Sequence, residues 1–267
     1  MKNFLAVSLI AIFLNVLTIY YKFDYLLSVI SVLGGVSLLL FINSFKTFSK
    51  ENWKLFSVFF LFSNLSTLFI EYLMIHFDVW SFSNRVQHLT GITFLNYPIE
   101  EFVYWALCPL IVSLSYISFG KTFQKFLNPI SFTNTIKNFK SILESLKNDV
   151  NIKYQKESKV GEYESGKKVP VYIWLQVIIV SLILLLKNYY RGNFRNLLYA
   201  TFLFFFTAFP HEVYAVSNGF WIYNHNKMLG LYLFRIPLEG YLMYFISPIC
   251  GCMILDVFNR IFFKKDL

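Results

Sequence analysis

The sequence predicts an all-α fold: a polytopic membrane helical bundle of about seven transmembrane helices, built as two three-helix repeats plus one N-terminal helix. Three observations carry this. The chain is 57% hydrophobic and 21% aromatic, with mean hydropathy +0.54, where soluble domains average about 45–50% apolar. Apolar runs recur at roughly residues 4–20, 25–42, 55–75, 98–119, 169–186, 197–216 and 237–258. Each approaches the ~20 residues that a ~30 Å hydrocarbon core demands. Finally, Lys and Arg gather between the runs and at their ends, as membrane loops do.

The first run follows Lys2 and has the look of a signal peptide, yet no small-x-small cleavage site precedes Tyr20 and Tyr21. An uncleaved helix over 1–24 is the expectation. Only "YKFD" separates it from the second run, so the two form a tight hairpin. In the third run Ser63, Thr67 and Glu71 recur every four residues, one polar stripe on a helix. The fourth opens with "NYPIEEFVYW".

A polar stretch, 120–168, then divides the chain. Phe132, Ile136, Phe139, Leu143 and Leu146 are spaced as an amphipathic helix. Ten of the 24 Lys and Arg fall in this stretch, suiting an anionic membrane surface. "KYQKESKVGEYESGKK" reads as flexible linker. Three runs follow. In the second of them Pro210 bends the helix just ahead of His211 and Glu212. The last opens with "RIPLEGYLMY".

The two sides of the linker repeat. Glu71 precedes Trp80 by nine residues, as Glu212 precedes Trp221. Gly91 lies seven before Pro98, as Gly230 does before Pro237. Pro109 and Pro248 follow those prolines by eleven, and Glu100 and Glu239 follow them by two. Residues 25–119 form the first repeat, 120–168 the basic linker and 169–267 the second repeat. Three spans per half, with no further span between, predict halves of opposite orientation. On that arrangement 16 Lys and Arg, including Lys50, Lys54, the linker, Lys227 and Arg235, share one side and 8 the other. The richer side is expected to be cytoplasmic.

The net charge of +9 does not point to nucleic acid, because the cations sit where topology requires them. Cys108, Cys250 and Cys252 fall inside spans with neither metal nor disulfide spacing. His76, His88, His211 and His225 show no metal pattern, and no glycine-rich phosphate or dinucleotide loop occurs. The expectation is no metal and no cofactor. An acidic metal-diphosphate motif is also missing, which argues against a prenyl diphosphate substrate.

Acids are expensive inside a bilayer, about 2.5–3.5 kcal/mol at its centre. Here Glu71, Glu100, Glu101, Glu212 and Glu239 lie in spans or at their ends. A Pro-x-Glu phrase alone is an ordinary helix start, with Glu complementing the dipole. Its duplication, each copy preceded by a further acid, points to proton handling. Acids close together in hydrocarbon cannot all ionise cheaply, so one keeps its proton as a donor must. Glu100 and Glu101 lie about 100° apart on a helix, and Glu100 is preferred because Glu239 repeats it. Trp80, Tyr104, Trp221, Tyr223 and Tyr241 surround the acids as candidate substrate-binding residues. Their ring faces attract cations, although Trp at an interface also serves as plain anchor.

These residues together, Glu71…Trp80-Ser-Phe…Gly91…Pro98-Ile-Glu100-Glu101-Phe102 and Glu212…Gly219-Phe-Trp221-Ile-Tyr223…Gly230…Pro237-Leu-Glu239, resemble the heterodimer-type lycopene cyclases, here fused in one chain. The resemblance implies an integral-membrane carotenoid cyclase without cofactor. An acid protonates the terminal alkene of a linear ψ end group, the neighbouring double bond closes a six-membered ring, and proton loss leaves a β-ionone ring. Lycopene would become γ-carotene and then β-carotene, with no net redox change. Glu100, Glu101 and Glu239 would act as acid and base, and Glu71 and Glu212 match positions often occupied by Asp. The implied partners are lycopene, membrane lipid, and either a second copy or other carotenoid enzymes. The implied location is the cell's inner membrane, as a multi-pass protein. Gly240 departs from the phrase, replacing its second acid. Competing readings are a proton-coupled transporter, a non-catalytic carotenoid-binding protein and a cyclase of longer carotenoids.

Overall fold

The computed structural model describes residues 2–82, 90, 92–94, 97–119 and 171–263. The amphipathic helix and linker expected over 120–168 lie outside the described residues. Helix α1 spans Lys2–Tyr21. The Asp24 carboxylate accepts from Leu27 N (2.8 Å) and starts α2, Tyr25–Val29, which continues through a π-helical turn, Ile30–Gly34, into α3, Gly35–Thr47. A Cβ on Gly35 would stand 2.9 Å from Leu14 Cδ1, so α1 approaches α3 closely at this glycine. Ser49 caps α4, Lys50–His76. Strand β1 is Trp80–Phe82, and β2, Thr93–Phe94, pairs with β3, Tyr97–Pro98. Then come α5, Ile99–Phe119, and α6, Val171–Lys187. Helix α7, Phe194–Ser217, is followed by β4, Trp221–Tyr223, by β5 and β6, Tyr232–Leu233 and Ile236–Pro237, and by α8, Leu238–Phe258.

This is an all-α membrane bundle; the few strands among the described residues form three short two-stranded pairings, two of them hairpins. Tyr25–Phe45, Lys50–His76, Ile99–Ser118 and Leu238–Phe262 are long and apolar enough to cross a bilayer; Ala6–Tyr21 and Val171–Lys187 are apolar but shorter. On α4 the stripe Leu61, Leu65 and Phe69 is more than 60% exposed, a face suited to lipid, while Glu71, two residues from Phe69, is buried. Lipid is as apolar as leucine, so packing and hydrogen bonds, rather than hydrophobic exclusion, hold such helices together. Helix α5 is central, packing against α3, α4, α7 and α8. Buried hydroxyls satisfy themselves on carbonyls four residues back, as Thr201 does on Leu197 and Thr207 on Leu203.

The expected inversion of the halves is not what the structure has. Strands β1 and β4 pair antiparallel, Trp80 opposite Tyr223 and Phe82 opposite Trp221. Asn224 N donates to Val79 O, and its amide group to Asp78. Helices α4 and α7 therefore finish at one end of the bundle, and α5 and α8 both begin there. Tyr214 reaches Phe23 O at this same hairpin end. At the far end Ser44 Oγ meets Ser118 Oγ (2.7 Å), Tyr116 donates to Tyr190 (3.2 Å), and Asp256 accepts from Arg191 N, Gly192 N and Arg260. Phe119 lies at the far end, whereas Tyr172, its ring 5.5 Å from Trp80, lies at the hairpin end. The inversion presumed that the chain leaves α5 and enters α6 on one side, and those helix ends are on opposite sides. Lys227 and Arg235 consequently lie at the opposite end from Lys50 and Lys54, which corrects the expected loop grouping.

Candidate active site

Same-sense halves bring their acids together. Glu71 on the last turns of α4, Glu101 on the first turn of α5 and Glu212 on α7 line one cavity of about 300 Å³. All three are buried. Trp80, Tyr104, Trp221 and Tyr223 line it too, as do Tyr172 and Tyr244. Among the described residues no Lys or Arg lines it, and no group of three or more His, Cys, Asp or Glu could hold a metal ion. Pro109 and Pro248 both line the cavity from within α5 and α8. Each removes the hydrogen bond to the carbonyl four residues earlier, Trp105 and Tyr244.

The carboxyls differ in their donors. Glu212 receives three: Trp221 Nε1 (3.1 Å) and Tyr223 OH (2.5 Å) on Oε1, and Tyr244 OH (2.9 Å) on Oε2. Tyr244 spends its one proton on Glu212, so Tyr104, 2.7 Å away, donates to Tyr244. Burial, and next the Glu212 charge, push the Tyr223 phenol well above its ordinary pKa, which keeps it a donor. Glu71 receives Trp80 Nε1 (2.9 Å), and Glu101 receives Tyr25 OH. Thus each Trp nine residues after its Glu is bonded to it. That is a role within the site rather than that of a bare interfacial anchor.

His211 stacks on Tyr104, with centroids 5.6 Å apart, and its Nε2 lies 2.9 Å from Ser28 Oγ. Ser28 gives its proton to Tyr25 O. His211 Nε2 is then the donor to Ser28, and its ring is wedged behind Tyr25 and Tyr104.

Two of the five expected acids lie elsewhere. Glu100 and Glu239 are fully buried but do not line the cavity. Glu100 accepts from Thr90 N and Glu239 from Leu229 N. Tyr241 is also away from the cavity; its hydroxyl donates to Leu233 O (2.8 Å) and its ring packs on Phe209. Conversely, Tyr25, Tyr172 and Tyr244 belong to the site and were not singled out from the sequence as substrate-binding. Tyr244 stands within the second proline phrase, a usable signal, whereas Tyr25 is 76 residues from the carboxylate it meets.

A Cβ on Gly240, the counterpart of Glu101, would stand 2.8 Å from Ile236 Cγ2 and 3.6 Å from Tyr223 OH. A side chain here would have to displace Ile236, and Tyr223 and Tyr244 give their hydroxyls to Glu212.

The family described as lycopene cyclase matches residues 24–119 and 168–258. The chain belongs to the lycopene cyclase family. No curated protein and no solved structure matches it. Membership makes it a carotenoid cyclase, a catalyst of internal ring closure on a carotenoid, and its long apolar helices make it a membrane protein. The two matched segments contain every carboxyl, Trp and Tyr that lines the cavity, and also Tyr25, which bonds Glu101.

Proposed function

We propose that this lycopene cyclase closes linear ψ ends to β-ionone rings at one composite site per chain, converting lycopene through γ-carotene to β-carotene. The observation that carries the proposal is the meeting of Glu71, Glu101 and Glu212, drawn from both halves, in one aromatic cavity that no Lys or Arg among the described residues lines. With three donors, Glu212 carries a charge more readily than Glu71 or Glu101 does. Glu71 and Glu101 then share a proton, since three carboxylates in an apolar chamber would repel one another. Glu101 gives that proton to the terminal alkene, forming a C–H bond and a tertiary cation. The neighbouring double bond attacks, closing the six-membered ring. A carboxylate of the Glu71–Glu101 pair recovers the proton lost as the ring alkene forms, so the acid is regenerated and no electrons are gained or lost. The Glu212 charge and the faces of Trp80, Trp221 and Tyr104 stabilise the cation between these steps.

The cavity suits one end group rather than a whole C40 polyene, for 300 Å³ is the small end of ligand pockets. Its lining continues down α4 from Glu71 to Phe59, about 18 Å at 1.5 Å per residue. Phe62 and Leu182 on this arm are 42% and 37% exposed. The arm therefore communicates with the hydrocarbon around the bundle, where a carotenoid dissolves. The test is expression in lycopene-accumulating cells followed by pigment chromatography. Monocyclic and then bicyclic product is expected from the native chain. Glu101→Gln should cut ring formation by about 100-fold or more, the usual scale for a lost general acid. Unchanged lycopene with well-inserted native protein would overturn the substrate assignment.

A further inference from the structure

We infer that Glu100 and Glu239 are positioning residues, anchors of the two hairpins at the site's end of the bundle, and stand outside the proton-transfer set. The inference rests on the reading that Glu71, Glu101 and Glu212 perform the chemistry. Each anchor follows its proline by two and reaches back to the backbone N–H ten residues earlier, at Thr90 or Leu229. Each is wholly buried, yet neither faces the cavity.

What each anchor encloses is a hairpin of equivalent register. Thr93 pairs with Pro98 in the first and Tyr232 with Pro237 in the second. Ile99 N bonds Ile92 O (2.9 Å), and Leu238 N bonds Leu231 O (2.8 Å). The second hairpin turns through Phe234 and Arg235, with φ of 49° and 66°. Both central residues of this two-residue turn are left-handed, a conformation normally given to Asn or Gly and costly for bulky side chains. Such a turn persists only where its surroundings over-determine it. The Glu239 carboxylate, bonded to the backbone at the hairpin's base, supplies that constraint. The same bond sets the entry of α8 beside Tyr244, as Glu100 sets the entry of α5 and the phase of Glu101.

A glutamine separates the roles, because its carbonyl accepts the same N–H but carries no transferable proton. Full-length Glu239→Gln and Glu100→Gln should stay within about fivefold of wild-type activity, because the amide oxygen keeps the bond to the same N–H. Glu239→Ala should fall about 10- to 100-fold, within the range for a buried N–H left unpaired. Cleavage by trypsin after the exposed Arg235, in detergent-purified protein, reports the hairpin independently of activity. Protection should persist in Glu239→Gln and be lost in Glu239→Ala, with activity tracking protection. A Glu239→Gln enzyme that keeps protection but loses activity as Glu101→Gln does would overturn the inference. So would full activity in Glu239→Ala. Retained activity in Glu101→Gln would instead sink the reading of the cavity, a separate outcome.

Discussion

Glu212 offers the sharpest perturbation of the chemistry, because its two phenol donors can be removed without disturbing packing. Tyr223→Phe deletes the 2.5 Å bond to Oε1, and Tyr244→Phe the 2.9 Å bond to Oε2. A hydrogen bond to a charged group contributes about 1.5–3 kcal/mol, or roughly 10- to 150-fold at ~1.36 kcal/mol per decade. Each variant should lose cyclisation rate within that range. Tyr244→Phe should lose more, because it also strands the Tyr104 hydroxyl, whose proton Tyr244 accepts. Phe preserves the ring contacts, including that of Tyr244 with Phe204 at 5.8 Å. The assay is the initial rate of ring formation in lycopene-loaded membranes at matched protein levels. In a Glu212→Gln background the same substitutions should change little, about twofold at most, because neighbours sharing one acceptor are not additive. Equal losses in the native and Glu212→Gln backgrounds would refute the assignment of these phenols to the Glu212 carboxylate.

Two further expectations follow from the bundle. Leu182→Trp should narrow the arm that opens to lipid; it lowers kcat/KM for long carotenoids while leaving trypsin protection at Arg235 intact, measured in the same membranes. Of the 11 Lys and Arg within the described residues, Lys22, Lys227 and Arg235 alone lie at the hairpin end, so the far end is expected in the cytoplasm. Phe234→Cys, at a 70% exposed site, should react with an impermeant maleimide added outside intact cells, and Glu51→Cys should react only after permeabilisation.

Most helices were legible because the apolar runs and the bilayer's length requirement leave few alternatives. Glu71, Glu212 and both Trp residues were legible from equal spacing, and each Trp does bond the Glu nine residues before it. The distinction between Glu100 and Glu101 was not. Adjacent residues diverge by about 100°, and only the rotational phase of α5 says which one faces the cavity. Repetition favoured Glu100, but repetition is equally the mark of a duplicated hairpin anchor. Tyr25 was illegible for another reason. It meets Glu101 only because α2 packs on α5, and no local pattern encodes that contact.

The sense of the two halves decides what the carboxyls can do. Inverted halves would carry Glu71 and Glu212 toward opposite faces of the bilayer, with a full ~30 Å of hydrocarbon between them. Each cluster would then need its own acid and its own cation-stabilising partner, and Gly240 would leave the second cluster deficient. The β1–β4 pairing removes that difficulty by bringing both Trp strands to one end, Trp80 directly opposite Tyr223. The absent acid at 240 then ceases to be a defect. Its place is taken up by Tyr223 and Tyr244 turning their hydroxyls on Glu212, while Glu71 and Glu101 face the same chamber from the other half. Gly240 and Glu212 thus fit one proposed division of labour between the halves. In the proposed mechanism one half holds the exchangeable proton, and the other holds the fixed charge that the developing cation needs.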